Sequence, residues 1–222
     1  GSSNNIIIGN GAGSGAWTNE DNSNCVIIGA NACVGAMEGD DSDGTVAIGW
    51  SAGKNITSAQ GSTFLGKNAG GGSTGTTLTG NHNTGIGWSV GDVMHSTAHS
   101  NTMVGSSAGV LLTTGTQNTF LGKDAGAAIT TESDCVLIGY DAGQSITETS
   151  SNGTVAIGAS AGSNLTDGAG ATMIGKSAGL HETIGDNNTT LGYGTMGNSG
   201  DASSGNAGMQ NDNNTFIGHN AG

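Results

Sequence analysis

Short apolar triplets recur along the chain, each closing on a glycine. With the glycine of an aliphatic-Gly-x-x-Ala-Gly pattern as position zero, twelve copies are anchored at Gly9, Gly29, Gly49, Gly66, Gly87, Gly105, Gly122, Gly139, Gly158, Gly175, Gly192 and Gly218. Their spacings run 20, 20, 17, 21, 18, 17, 17, 19, 17, 17 and 26, so a 17-residue period with insertions is the rule. Position minus one is Ile, Leu or Val in every copy, and minus three is β-branched throughout, from Ile6, Val26 and Val46 to Thr189 and Thr215. Residues two apart share one face of a strand, and β-branched residues favour strands. This predicts a strand in each copy, with minus one and minus three turned inward and minus two turned away.

Ten copies carry Ala at plus three and ten carry Gly at plus four, small residues that suit a turn where backbones approach closely. A second aliphatic followed by Thr recurs at plus seven, as in Ile56-Thr57, Leu112-Thr113, Ile129-Thr130, Ile146-Thr147 and Leu165-Thr166, and predicts a weaker second strand. One such unit cannot bury its own apolar face, whereas stacked copies build a continuous narrow core. The expected fold is all-β: a single parallel β-solenoid, or β-roll, over residues 1–222, with about twelve coils. At a spacing of ~4.8 Å the rod would be on the order of 50–60 Å long.

Minus four is small and usually polar: Asn5, Cys25, Thr45, Ser62, Asn83, Asn101, Asn118, Cys135, Thr154, Ala171, Asn188 and Asn214. Stacked polar side chains of this kind can bond from coil to coil. Cys25 and Cys135 then read as ladder members, while Cys33, eight residues beyond Cys25, leaves a local disulfide open. The thiols lack the spacing of a metal site.

If minus two faces outward it ought to be polar, yet it holds Ile7, Ile27, Phe64, Met103, Phe120, Leu137, Met173 and Phe216, including all three phenylalanines. An apolar stripe along a rod exceeds what a monomer normally exposes. These eight residues are therefore expected to pack against identical chains in a homo-oligomer. The alternative is that the strand is buried against its own return loop.

Composition alone points elsewhere. Leu, Ile, Val and Phe number 36 in 222 residues, with 44 glycines, no proline and a formal charge of −13, a profile normally read as disorder. The repeat overturns that reading: 28 of the 36 occupy minus three, minus two, minus one or plus seven, and 22 of the 44 glycines occupy the anchor and plus four. Four lysines and no arginine against seventeen acids leave no electrostatic footprint for nucleic acid or an anionic membrane. No apolar run approaches a membrane span, and no targeting signal is legible.

The segments Thr45-Val46-Ala47-Ile48-Gly49-Trp50-Ser51-Ala52-Gly53 and Thr154-Val155-Ala156-Ile157-Gly158-Ala159-Ser160-Ala161-Gly162 resemble the head repeats of trimeric autotransporter adhesins, and similar repeats occur in phage tail fibres. The resemblance implies a left-handed parallel β-roll, three chains about one axis, an extracellular or virion location, and adhesion rather than catalysis. The chain departs from those heads in its longer period and in lacking their coiled-coil stalk and anchor. Copy one starts at Ile6-Ile7-Ile8 and copy twelve ends at Ala221-Gly222 without a polar cap, which raises head-to-tail stacking into a filament as an alternative to a trimer.

Candidate chemistry is sparse. Insertions at 17–24, 37–44, 71–82, 93–100 and 195–213 fall on one edge, where repeat proteins usually bind. Glu38, Asp40, Asp41 and Asp43 crowd one of these loops as weak calcium candidates, although their spacing is not that of an EF-hand. His95 and His99 would need a helix to share a metal. No nucleophile elbow is present, and no arginine is available for a lyase cleft, so no enzyme activity and no cofactor are expected. Plus one gathers Trp50, Trp88, Tyr140 and Tyr193 with Lys67, Lys123, Lys176 and His219. That row either contacts a surface glycan by stacking and hydrogen bonding or merely covers neighbouring coils. The favoured function is a structural fibre, the second an adhesin-type glycan-binding module. Ice binding ranks last, because Thr at minus three is expected to point inward.

Overall fold

The structure, a computed structural model, describes residues 4–15, 22–35, 42–71, 77–95, 97–148, 150–196 and 212–222. Twelve three-residue strands form one sheet: β1 (Ile6–Ile8), β2 (Val26–Ile28), β3 (Val46–Ile48), β4 (Thr63–Leu65), β5 (Thr84–Ile86), β6 (Thr102–Val104), β7 (Thr119–Leu121), β8 (Val136–Ile138), β9 (Val155–Ile157), β10 (Thr172–Ile174), β11 (Thr189–Leu191) and β12 (Thr215–Ile217). Each pairs in parallel with its sequence neighbours, and the order is strictly β1 to β12. Every minus-three residue pairs with the next minus-three residue, as in Val46↔Thr63 and Thr119↔Val136. The fold is the expected parallel β-solenoid, one coil per copy.

The anchor glycine sets the phase. At Gly122, φ is +144°, and an added Cβ would lie 2.2 Å from the carbonyl oxygen of Gly139 in the next coil. Side chains are thus excluded at the anchor by both conformation and space. Among the described residues, every non-glycine with left-handed φ falls at plus two, plus four or minus five, as Ser107 (57°), Cys33 (45°) and Gln117 (61°) do. Asn, Ser and Asp dominate plus two and minus five, where short polar side chains tolerate this region best. Bonds between coils hold these turns, for example from Ser107 N–H to Trp88 C=O at 2.9 Å and from Asn68 N–H to Trp50 C=O at 2.9 Å.

The expected face assignment is inverted. Ile27, Phe64, Met103, Phe120, Leu137 and Met173 are fully buried within the single chain, while minus one and minus three are partly or largely exposed. Only Ile7 and Phe216, in the terminal coils, keep some exposure. The minus-two row is the core rather than an oligomer interface, in line with the alternative of burial inside the coil. The physical reason lies in the minus-four row, which shares the parity of minus two and is buried although polar. The Asn101 side chain accepts from Asn118 N–H at 3.0 Å and donates to Gly115 C=O at 2.9 Å; the Asn118 side chain repeats this with Cys135 N–H and Glu132 C=O. A satisfied amide ladder removes the cost of burying it, so a polar row can line the interior.

The opposite wall is built from plus three and plus seven. Ala52, Ala69, Ala108, Ala125 and Ala142 are fully buried, as are Ile56, Leu112, Ile129, Ile146 and Leu165. No second strand forms there among the described residues; only isolated bridges, Ile56↔Leu78 and Asp167↔Ile184, mark that side. Thr113 and Thr166 still donate from both backbone and hydroxyl to the next coil, at Thr130 C=O and Thr183 C=O.

Candidate functional site

Turning minus two inward leaves two surface rows that run the length of the sheet. The first is minus one, Ile, Leu or Val in all twelve strands, with Leu121 46% exposed and Leu65, Ile174 and Leu191 similar. Beside it lies minus three, where Thr63, Thr84, Thr102 and Thr119 occupy four successive coils, turned outward rather than inward as expected. Alternation along the pleat puts both rows on one face.

The second row is plus one, just past the anchor glycine. Trp50, Trp88, Tyr140 and Tyr193 are 50–54% exposed. Lys67 Nζ lies 5.1 Å from the Trp50 ring centroid, Lys123 Nζ 5.2 Å from Tyr140, and Lys176 Nζ 5.9 Å from Tyr193, all within cation–π range. Tyr193 stacks on His219 with centroids 5.2 Å apart. Lys123 also pairs with Asp124, and that bond raises its ammonium pKa. The four aromatic candidates are brought into one strip.

The other candidates separate. Glu38, Asp40 and Asp41 lie outside the described residues. Asp43 is described, and its Oδ1 accepts from Ser23 N–H at 2.6 Å. The same device repeats at minus six, where Asn81 accepts from Gln60 N–H, Asn152 from Ser133 N–H and Asp186 from Ala169 N–H. Asp43 is therefore a rung of a second side-chain ladder that the sequence reading missed. His99 does not join His95 at a site; it lines an open groove of about 600 Å³ with His82, Asn81, Thr79, Thr97 and Thr116.

The three cysteines are free and buried. Cys25 and Cys135 sit in the ladder and donate to Ser42 C=O and Ser151 C=O. Burial pushes the Cys33 thiol up to about 12 and the Cys135 thiol to about 11, so neither supplies thiolate near neutral pH.

One buried acid carried no sequence signal beyond a break in the pattern. Glu182 stands at plus seven, where the preceding coil has Leu165, and is 1% exposed. Asn188 Nδ2 donates to its Oε1, while Oε2 has no partner among the described residues. Desolvation raises its carboxyl to about 7, against the opposing pull of the Asn188 bond.

Comparison with family models, curated proteins and solved structures finds no match. What the surface can do must be argued from its own chemistry.

Proposed function

We propose that this chain is a non-enzymatic structural rod whose copies associate side by side through the minus-one and minus-three face. The carrying observation is the uniformity of minus one: an outward position that is aliphatic in all twelve coils. Along the sheet Leu65, Leu121, Leu191 and Ile217 stand 42–67% exposed, an aliphatic row of a kind that marks interaction surfaces when it runs on contiguously. A second copy offers the same face with the same order of coils, so two copies can align row against row. The resemblance of the repeat unit to adhesin heads and tail-fibre repeats favours a closed group of three chains on a cell surface or virion.

Replacing Ile86, Leu121 and Ile138 with Asp tests this by sedimentation and light scattering. The native chain is expected as an oligomer, and the triple variant as a folded monomer of 21.4 kDa. A native chain that stays monomeric to high concentration contradicts the reading.

The outward threonines support one second reading. Thr and aliphatic groups repeating once per coil on a parallel sheet suit an ice lattice, although Val136 and Val155 interrupt the threonine row. Thermal hysteresis by the native chain, lost in Thr84→Lys/Thr102→Lys, would select it.

A further inference from the structure

We infer that the plus-one ladder binds a linear, uncharged polysaccharide of β-linked pyranoses. The coils carry a longer period than the single repeat. Thr63-Phe64-Leu65-Gly66-Lys67-Asn68-Ala69-Gly70 returns as Thr119-Phe120-Leu121-Gly122-Lys123-Asp124-Ala125-Gly126 and as Thr172-Met173-Ile174-Gly175-Lys176-Ser177-Ala178-Gly179, in β4, β7 and β10. From β4 to β10 every third coil thus places a lysine at plus one. The coil that follows places an aromatic there: Trp88 after Lys67, Tyr140 after Lys123, Tyr193 after Lys176. The next plus-one residue, Ser106 or Ala159, is small and leaves a gap, until His219 closes the row by stacking on Tyr193.

With coils ~4.8 Å apart, a lysine and the aromatic of the next coil recur every ~14 Å along the rod, Lys123 and Lys176 lying over that following ring and Lys67 over Trp50 in the coil before it. One coil is close to the advance of one sugar in an extended β-linked chain, so successive pairs meet the polymer about three sugars apart and face alternate sides of the ring. Exposed rings offer flat apolar platforms to the C–H faces of pyranoses. Each ammonium, held near a ring, offers donors to ring hydroxyls. Engaging several weak subsites on one chain multiplies affinity without strong contacts at any of them.

Charge selects the polymer. The chain carries −13, and the Lys123 ammonium is already paired with Asp124, so a polyanion is repelled overall while a neutral glycan is not. The row also differs from the self-association face. Parallel copies meeting along it in register would set lysine against lysine, whereas the aliphatic rows carry no such conflict.

Calorimetry on the native chain with cellohexaose, chitohexaose and polygalacturonate tests the assignment. One or both neutral hexamers are expected to bind, hexamers more tightly than trimers, and Trp88→Ala/Tyr140→Ala/Tyr193→Ala to lose at least tenfold. That variant is expected to keep the native far-UV dichroism and sedimentation coefficient, because all three rings are half exposed. Binding of neither neutral hexamer overturns the proposal, as does unchanged affinity in the triple variant or tighter binding of polygalacturonate. A changed sedimentation coefficient would instead assign the row to an interface and overturn it too.

Discussion

The two rows that flank each other in every strand obey opposite rules. Inward minus two admits Ile, Phe, Met, Leu, Ala, Gly and Thr; outward minus one, half-buried to exposed, admits only Ile, Leu and Val. The interior varies in volume from coil to coil: Phe64 is flanked by Ala47 and Gly85 and Phe216 by Thr190, while Met103, Phe120 and Leu137 stack directly on one another. A Cβ on Gly85 would lie 3.0 Å from Phe64 Cδ1, so the large ring fills the space the glycine leaves. No such exchange occurs outside. Uniformity without burial is what a surface shows when a second, regular surface sets its requirements, and it is why the outward face rather than the core carries the functional argument.

The harshest test of this division is at the turn that keeps both rows in phase. Gly122→Val would combine a left-handed backbone strain of about 1–3 kcal/mol with overpacking of a similar size. Urea denaturation is expected to show a loss of ~3 kcal/mol or more, or no folded protein. Adjacent residues then separate the rows. Phe120→Ala should cost about 3–5 kcal/mol in the same assay, whereas Leu121→Ala should cost about 1 kcal/mol in a monomeric background and weaken association instead. Equal costs at the two positions would break the comparison.

Within the interior, the polar ladder should behave like core. Asn101→Ala removes the acceptor for Asn118 N–H and the donor to Gly115 C=O, and is expected to cost about 2–3 kcal/mol. Glu182 gives an effect of the opposite sign. Its folded pKa, about 7, lies above the ordinary carboxyl value of 4.5. It therefore costs nothing well below pH 4.5, where it is protonated in both states, and destabilises the fold progressively as pH rises from 4.5 to about 7, above which the cost stays constant. Glu182→Gln should be more stable than the native chain by about 2 kcal/mol at pH 8 and indistinguishable at pH 4.5. A constant difference across that range would place the carboxyl in water.

The strands, their boundaries and their parallel stacking are legible in the chain because an anchor glycine repeated twelve times fixes the register. Which face turns inward is not. Alternation over three residues says that Ile27 and Val26 point apart, and both are apolar. The deciding signal is a step further out, at Asn83, Asn101 and Asn118, whose polarity suggests exposure until their coil-to-coil bonds are seen. The plus-one strip was visible by composition, since it holds most of the Trp, Tyr and Lys. The minus-six ladder was not, because Asp43, Asn81, Ser133 and Asn152 are of three residue types that share only a backbone N–H to accept from.

The division between rows can be read directly with one thiol. The three native cysteines are buried, with thiols raised by burial, and give a silent background. Leu121→Cys places a probe on the aliphatic face and Trp88→Cys one on the plus-one strip. Labelling with a maleimide over a dilution series should find the Cys at 88 reactive throughout, and the Cys at 121 protected when concentrated but reactive when dilute. Equal and concentration-independent labelling at both positions would contradict the claim that the outward aliphatic face is covered by copies of the same chain.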